Sequence, residues 1–358
     1  MAFIQACNAA CKSSTGPSNL VIPPGRFMVG KTIFKGPYSS NPVTVEIQET
    51  ILANSNMSEF CGRACLLFQD VDGLTVLAGG IFDGQGQSTW LYSNYHSPDN
   101  CNSPLSISKF TSIKVQTVTN AVIWDINLVN SKGFHMTITS CSNFVVERLN
   151  ITASENSLNP DEKHISRSDQ VRVSNSIIRT GDCISIGESL SNDDSVRGIF
   201  VSNSSSTKTT NGVRIKTFHN SPQIQASNII FEDITMNDVQ NLIIIDQRNR
   251  SKDSIGVSSV KISDIHYRNK RGISISNVAI TLNCSSTIPC EDIELADINI
   301  ILSFNCLKKL LSFSSTCSLP IELSVPLETT KTPALTRAPN RWQPQKKNKN
   351  KNQGIATL

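Results

Sequence analysis

One phrase recurs along this chain and limits what it can fold into: a short polar turn followed by alternating β-branched residues. It reads DGLTVL at Asp72, TSIKVQ at Thr111, NAVIWDINL at Asn120, SNFVVERLNI at Ser142, DQVRVSNSII at Asp169 and RGIFVSNSS at Arg197, then SNIIFEDITM at Ser227, SSVKISDIHY at Ser258 and EDIELADINI at Glu291. Most of the later intervals are about 20 to 35 residues, the range in which solenoids repeat, so one phrase is one coil. Within each phrase Val, Ile and Phe alternate with Asn, Asp, Ser and Thr, which places one set inside and the other outside a strand. A β-sandwich would also alternate, but it would carry hairpin signals such as Asn-Gly, and the only Asn-Gly is Asn211-Gly212. The pattern predicts an all-β parallel β-helix. Aromatic residues are only 6% of the 358, and Ser, Asn, Thr, Val and Ile are abundant, which suits the same fold.

The repeat also sets the boundaries. Residues 1–12 read as a capping helix, SNLVIPPGRFMVG as the first strands, and the repeat stops near Ile301. The expected division is therefore a β-helix domain over 1–301 and an atypical extension over 302–358. Residues 302–320 read as a cap, and the Pro, Thr, Lys and Asn that dominate after 320 predict disorder.

Charge is uneven. Lys331, Arg337, Arg341, Lys346, Lys347, Lys349 and Lys351 against Glu328 give the tail +6, so the overall +4 leaves about −2 for the rest. So short a low-complexity tail reads as solvated chain, not as a nucleic-acid contact. No run approaches the ~20 apolar residues of a membrane span. The opening Met-Ala-Phe-Ile-Gln-Ala-Cys has no features of a signal peptide. Eleven cysteines, some in close pairs (Cys7/Cys11, Cys61/Cys65, Cys284/Cys290), lack the Cys-x-x-Cys or His spacing of a zinc site. Disulfides formed in an oxidising compartment are the expectation, and sequons at Asn56, Asn150, Asn203 and Asn283 agree with secretion.

A solenoid has no deep central cavity, so chemistry must use side chains stacked on the outside of successive coils. Three stretches hold candidates at equivalent places: Asn159-Pro160-Asp161-Glu162-Lys163-His164, Gly181-Asp182-Cys183-Ile184-Ser185-Ile186-Gly187, and Asn211-Gly212-Val213-Arg214-Ile215-Lys216. Taken singly, Asp161 and Asp182 fit structural turns and Arg214 with Lys216 fits exposed surface. Their order says more. Together with IPPGRFMVG, FDGQG, NSKGFHM, RIKTF, IIIDQ and NCSSTIPCEDI, these stretches resemble the plant polygalacturonases of glycoside hydrolase family 28 over about residues 1–300, with wording closest to the exo-acting, pollen-type branch.

The resemblance implies a right-handed parallel β-helix, secreted to the cell wall as a monomer, with polygalacturonate (pectin) as its partner and no cofactor, nucleic acid or membrane. It implies hydrolysis of α-1,4-galacturonosidic bonds with inversion, by a carboxylic acid and carboxylates about 6.5–9.5 Å apart. Carried over by position, Asp161 and Asp182 are the catalytic candidates, and Arg214, Lys216, His164 and Asn159 are the substrate-binding ones. A calcium-dependent lyase would need clustered carboxylates, and none are evident.

The departures from the family are as informative. One Asp of the family's Asp-Asp pair is absent at Gly181-Asp182-Cys183, and no Gly-His-Gly motif follows, as if one coil were missing near 187–192. The resemblance implies that the partner of Cys183 went with it. Pro160, Glu162 and Lys163 replace Thr, Gly and an apolar residue, and Asn249 and Arg250 stand where the family places Tyr and Cys. Three readings remain open at this point: a polygalacturonase of doubtful turnover, a non-catalytic polygalacturonate-binding homologue, or a truncated or wrongly spliced coding sequence.

Overall fold

A computed structural model describes residues 2–12, 16–56, 64–77, 79–90, 110–154, 157, 163–179, 181–187, 195–218, 223–249, 258–285, 287–304, 307–319, 322–326 and 355–356. The strands stack in parallel into a right-handed β-helix with three faces. The front sheet takes one strand or half-strand per coil: Thr32–Lys35, Ala64–Asp72, Thr111–Trp124, Phe134–Thr139, Lys163–Ser166, Asp182–Ile186, Asn211–Phe218, Asn241–Asn249 and Val278–Asn283. A second sheet runs from Ser18–Ile22 through Val43–Ile47 and Ser142–Glu147 to Cys290–Phe304. The third begins at Arg26–Val29 and passes through Thr50–Ala53, Asn127–Val129 and Ile177–Arg179.

Alternation fills the lumen with aliphatic ladders. On the front sheet Val115, Ile138, Ile165, Ile186, Ile215, Ile245 and Leu282 are consecutive register partners, every one fully buried. On the second sheet Ala121, Phe144, Val171, Ile199, Ile229, Ile265 and Ile293 do the same. Burying each such branched side chain stabilises the fold by about 1.5–3 kcal/mol relative to exposure.

The corners need a left-handed backbone residue, and Asn and Asp supply most of them: Asn120, Asn143, Asn175, Asn203, Asn228, Asp233, Asn269 and Asp297 all have positive φ. These residues tolerate that region because a short polar side chain can hydrogen-bond locally. They also bond to one another along the helix axis. Asn143 donates to the Asn120 side chain at 2.8 Å, and Asp72 accepts from Thr119 and Asn120 at 2.6 and 2.7 Å, which holds its carboxyl below the usual range.

Both ends are covered. The helix expected at the N-terminus is Ala2–Lys12, which turns Cys7 and Cys11 inward. At the other end the expected boundary at Ile301 falls inside the Cys290–Phe304 strand. The chain then reverses, and Leu307–Leu319 pairs with that strand antiparallel, as Glu322–Pro326 does with Val278–Asn283. A reversed strand satisfies the open edge that a parallel stack otherwise leaves. Ile355–Ala356 pairs with Glu322–Pro326, and residues 327–354, expected to be disordered, lie outside the described residues.

The cysteine expectation needs correction. Cys284 and Cys290 form a disulfide, but Cys7 and Cys11 are thiols with sulfurs 3.4 Å apart, and Cys65 is a buried thiol whose expected partner Cys61 lies outside the described residues. Burial pushes the Cys7 thiol up to about 12, so it packs as a small apolar group. Cys141 and Cys183 are also buried thiols.

Candidate active site

Strand alternation decides which candidates can meet. Arg214 and Lys216 flank Ile215, whose side chain is fully buried in the lumen, so both project from the outer face of the front sheet. Lys216 is only 7% exposed and Arg214 is half-buried. His164 lies on the same face, 4% exposed, with its ring 6.1 Å from that of Phe134 and tilted by 56°. Between them is Ser185, register partner of His164 on one side and of Arg214 on the other. Beside this row Thr139 and Ser166 share a hydrogen bond at 3.2 Å, and Lys216 is in register with Asp246, whose carboxylate accepts from Asn283 at 3.1 Å.

Asp182 opens the Asp182–Ile186 strand, in register with Asn211. Asn211 in turn accepts from Asn241 at 2.9 Å, so polar residues also line the entry to these strands. Asn159 and Asp161 lie outside the described residues. Lys163 takes the register position opposite Met136.

The Asp182–Ile186 strand pairs directly with Asn211–Phe218, with no strand between them. Gly187 makes that pairing possible. Its φ is +93°, and a Cβ there would lie 2.4 Å from the Lys216 carbonyl oxygen, so only glycine lets the two backbones approach. The cation pair thus stands one coil from the strand of Asp182, about 4.8 Å along the axis.

The structure brings together His164, Arg214 and Lys216 among the expected residues and adds Ser185, Thr139 and Ser166, which the sequence reading passed over. Their signal was present as alternation, in SIG beside HIS and RIK, but it becomes a site only once the register is known. A pocket of about 460 Å³ lies at the corner that follows Thr139 and Ser166, lined by Arg167, Asp169 and Arg197, and Arg197 pairs with the Asp169 carboxylate at 3.4 Å. Among the described residues, no group of three or more His, Cys, Asp or Glu is arranged to hold a metal ion. No helix of the described residues is long and apolar enough to cross a membrane.

Known proteins agree with this architecture. The sequence model described as "Glycosyl hydrolases family 28" matches residues 11–192 and 184–318, two segments that overlap at 184–192, from within the Asp182–Ile186 strand onward. An exopolygalacturonase of Oenothera organensis is 36% identical over 84% of this chain and 90% of its own length. A polygalacturonase of Gossypium barbadense is 37% identical over 83% of this chain and 78% of its own. Among solved structures, an endo-xylogalacturonan hydrolase from Aspergillus tubingensis aligns with a TM-score of 0.62 at 20% identity, over 80% of this chain and 85% of that one. A polygalacturonase from Erwinia carotovora aligns with a TM-score of 0.56 at 16% identity, over 81% and 93%.

Proposed function

The chain belongs to glycosyl hydrolases family 28, and from that membership we propose that the outer face of its front sheet binds polygalacturonate and hydrolyses it weakly. The observation that carries this reading is the row formed by His164, Ser185 and Arg214, with Lys216 beside it. A guanidinium recognises a sugar carboxylate through two parallel hydrogen bonds, and an ammonium adds a point charge. Both groups are half-buried or better, which strengthens their attraction for a carboxylate relative to that of a fully solvated side chain.

For the chemistry, inversion needs an acid to protonate the leaving oxygen and a base to activate water across the sugar. We assign these roles to Asp161 and Asp182, with Asn159 and His164 as polar contacts to the substrate. Two partners of the family mechanism are missing from the sequence: the second Asp beside Asp182 and the His of Gly-His-Gly. Losing one general acid or base typically removes about 10²–10⁴ in rate, so turnover is expected to fall at least ~100-fold below that of an intact relative. The Cys284–Cys290 disulfide and the plant relatives support an extracellular, cell-wall location, where the protein acts as a monomer without a cofactor.

The direct pairing of Asp182–Ile186 with Asn211–Phe218 favours a second reading, a polygalacturonate-binding homologue that no longer cleaves. Affinity for polygalacturonate and release of reducing ends separate the two. Binding with slow release of reducing ends, lost in Asp182→Asn, supports hydrolysis; binding with no release at any enzyme concentration supports the second reading. A protein that does not bind polygalacturonate, or whose affinity is unchanged in a Arg214→Gln/Lys216→Gln variant, would overturn both.

A further inference from the structure

The row through His164 extends beyond the residues already assigned. Lys114 pairs with Thr137, Thr137 with His164, His164 with Ser185, and Ser185 with Arg214. Past Lys114 the same row continues to Leu67, and past Arg214 to Ile244. The front sheet therefore shows a polar window with an apolar residue beyond each end and a cation as its first and last member. The neighbouring row is polar over the first three of these coils, through Gln116, Thr139 and Ser166. Neither row holds an acidic residue between the two cations.

We propose that Lys114 is a substrate-binding residue whose ammonium takes a uronate carboxylate at the end of the groove remote from Arg214. Lys114 is half-buried on a strand whose inward neighbours, Ile113 and Val115, are fully buried, so its side chain is held to the outer face. Four strand steps of about 4.8 Å separate it from Arg214, a span of roughly 19 Å. A trisaccharide anchored at Arg214 stops short of Lys114; a hexasaccharide reaches it. The groove is then built for a polymer, with bidentate recognition at one end and a compact point charge at the other, which tolerates variation in the chain between them. This inference rests on the polygalacturonate reading.

The test is the affinity of the full chain for tri- and hexagalacturonate by titration calorimetry, in the wild type, Lys114→Gln, Lys114→Arg and Arg214→Gln. The expected result is a loss of about tenfold or more for the hexamer in Lys114→Gln, with the trimer unchanged within about twofold and Lys114→Arg restoring the hexamer. Retained trimer binding also shows that the variant is folded. Equal affinities of wild type and Lys114→Gln for the hexamer, with Arg214→Gln weakening both ligands, would sink the role of Lys114 and leave the polygalacturonate reading intact. Equal losses for trimer and hexamer in Lys114→Gln would also overturn it. No binding of either ligand by the wild type would remove the polygalacturonate reading and this inference with it.

Discussion

Lys270 is fully buried in the lumen, where its register partners Ile234 and Ile298 are aliphatic. Its ammonium has no hydrogen-bond partner among the described residues and lies 5.9 Å from the centre of the Phe231 ring. Burial pushes its pKa well below the usual lysine range, opposed by the charges of Asp233 and Glu232 and by Cys183. Between the depressed folded value and the unfolded one, the folded state therefore binds fewer protons than the unfolded chain. Stability gained from deprotonation rises with pH from the depressed folded value toward about 10.4, and is lost as pH falls through the folded value. Lys270→Met is expected to raise stability at pH 7 by about 2 kcal/mol or more, since an unpartnered polar group leaves the core. Urea denaturation at several pH values should show that advantage shrinking as pH rises toward 10. An advantage that stays constant or grows would contradict the burial account.

At the level of elements, the join between Asp182–Ile186 and Asn211–Phe218 behaves as an ordinary coil contact. Ile186 continues the aliphatic ladder from Ile165 to Ile215 without a break. Ile186→Ala should cost about 2–5 kcal/mol, the range for a large-to-small change in a packed core, read as a lower denaturation midpoint. Gly187→Ala acts differently, because the added methyl meets the Lys216 backbone and φ is in the left-handed region. It should cost roughly 1–3 kcal/mol and also weaken polygalacturonate binding by displacing Lys216. Ile186→Ala leaves the outer face unchanged, so its binding should stay near wild type where both are folded. Comparing the two variants by calorimetry separates loss of packing from loss of the cation pair.

Across the whole molecule, stacking satisfies strand edges coil by coil, and the two ends are closed by Ala2–Lys12 and by the reversed Leu307–Leu319 strand. The outer face of the front sheet carries Lys114, His164, Arg214 and Lys216, while Asp246 faces Lys216 from the next coil. A groove of this charge should bind a polyanion with an affinity that falls moderately between low salt and physiological ionic strength, because the attraction across solvent is screened over about 8 Å at 0.15 M while the half-buried and buried cations are screened less. Titrating polygalacturonate at several salt concentrations checks this, and a salt-independent affinity would contradict an electrostatic groove.

The β-helix and its family were legible in the sequence, because a repeat of alternating β-branched residues has few ways to bury its apolar face, and because ordered motifs such as RIK and GDCISIG stand at fixed places within it. Arg214, Lys216 and His164 could be named from those motifs alone. Only the tertiary structure decided which side chains share a face and how far apart they stand. Register between coils depends on turn lengths and on close backbone approaches such as that of Gly187 to Lys216, and neither is visible in alternation. For the same reason the thiols at Cys7 and Cys11, the reversed strand after Phe304 and the row from Lys114 to Arg214 emerged only when the chain was wound. Spacing along a sequence lists the side chains a coil can offer; stacking determines which of them meet.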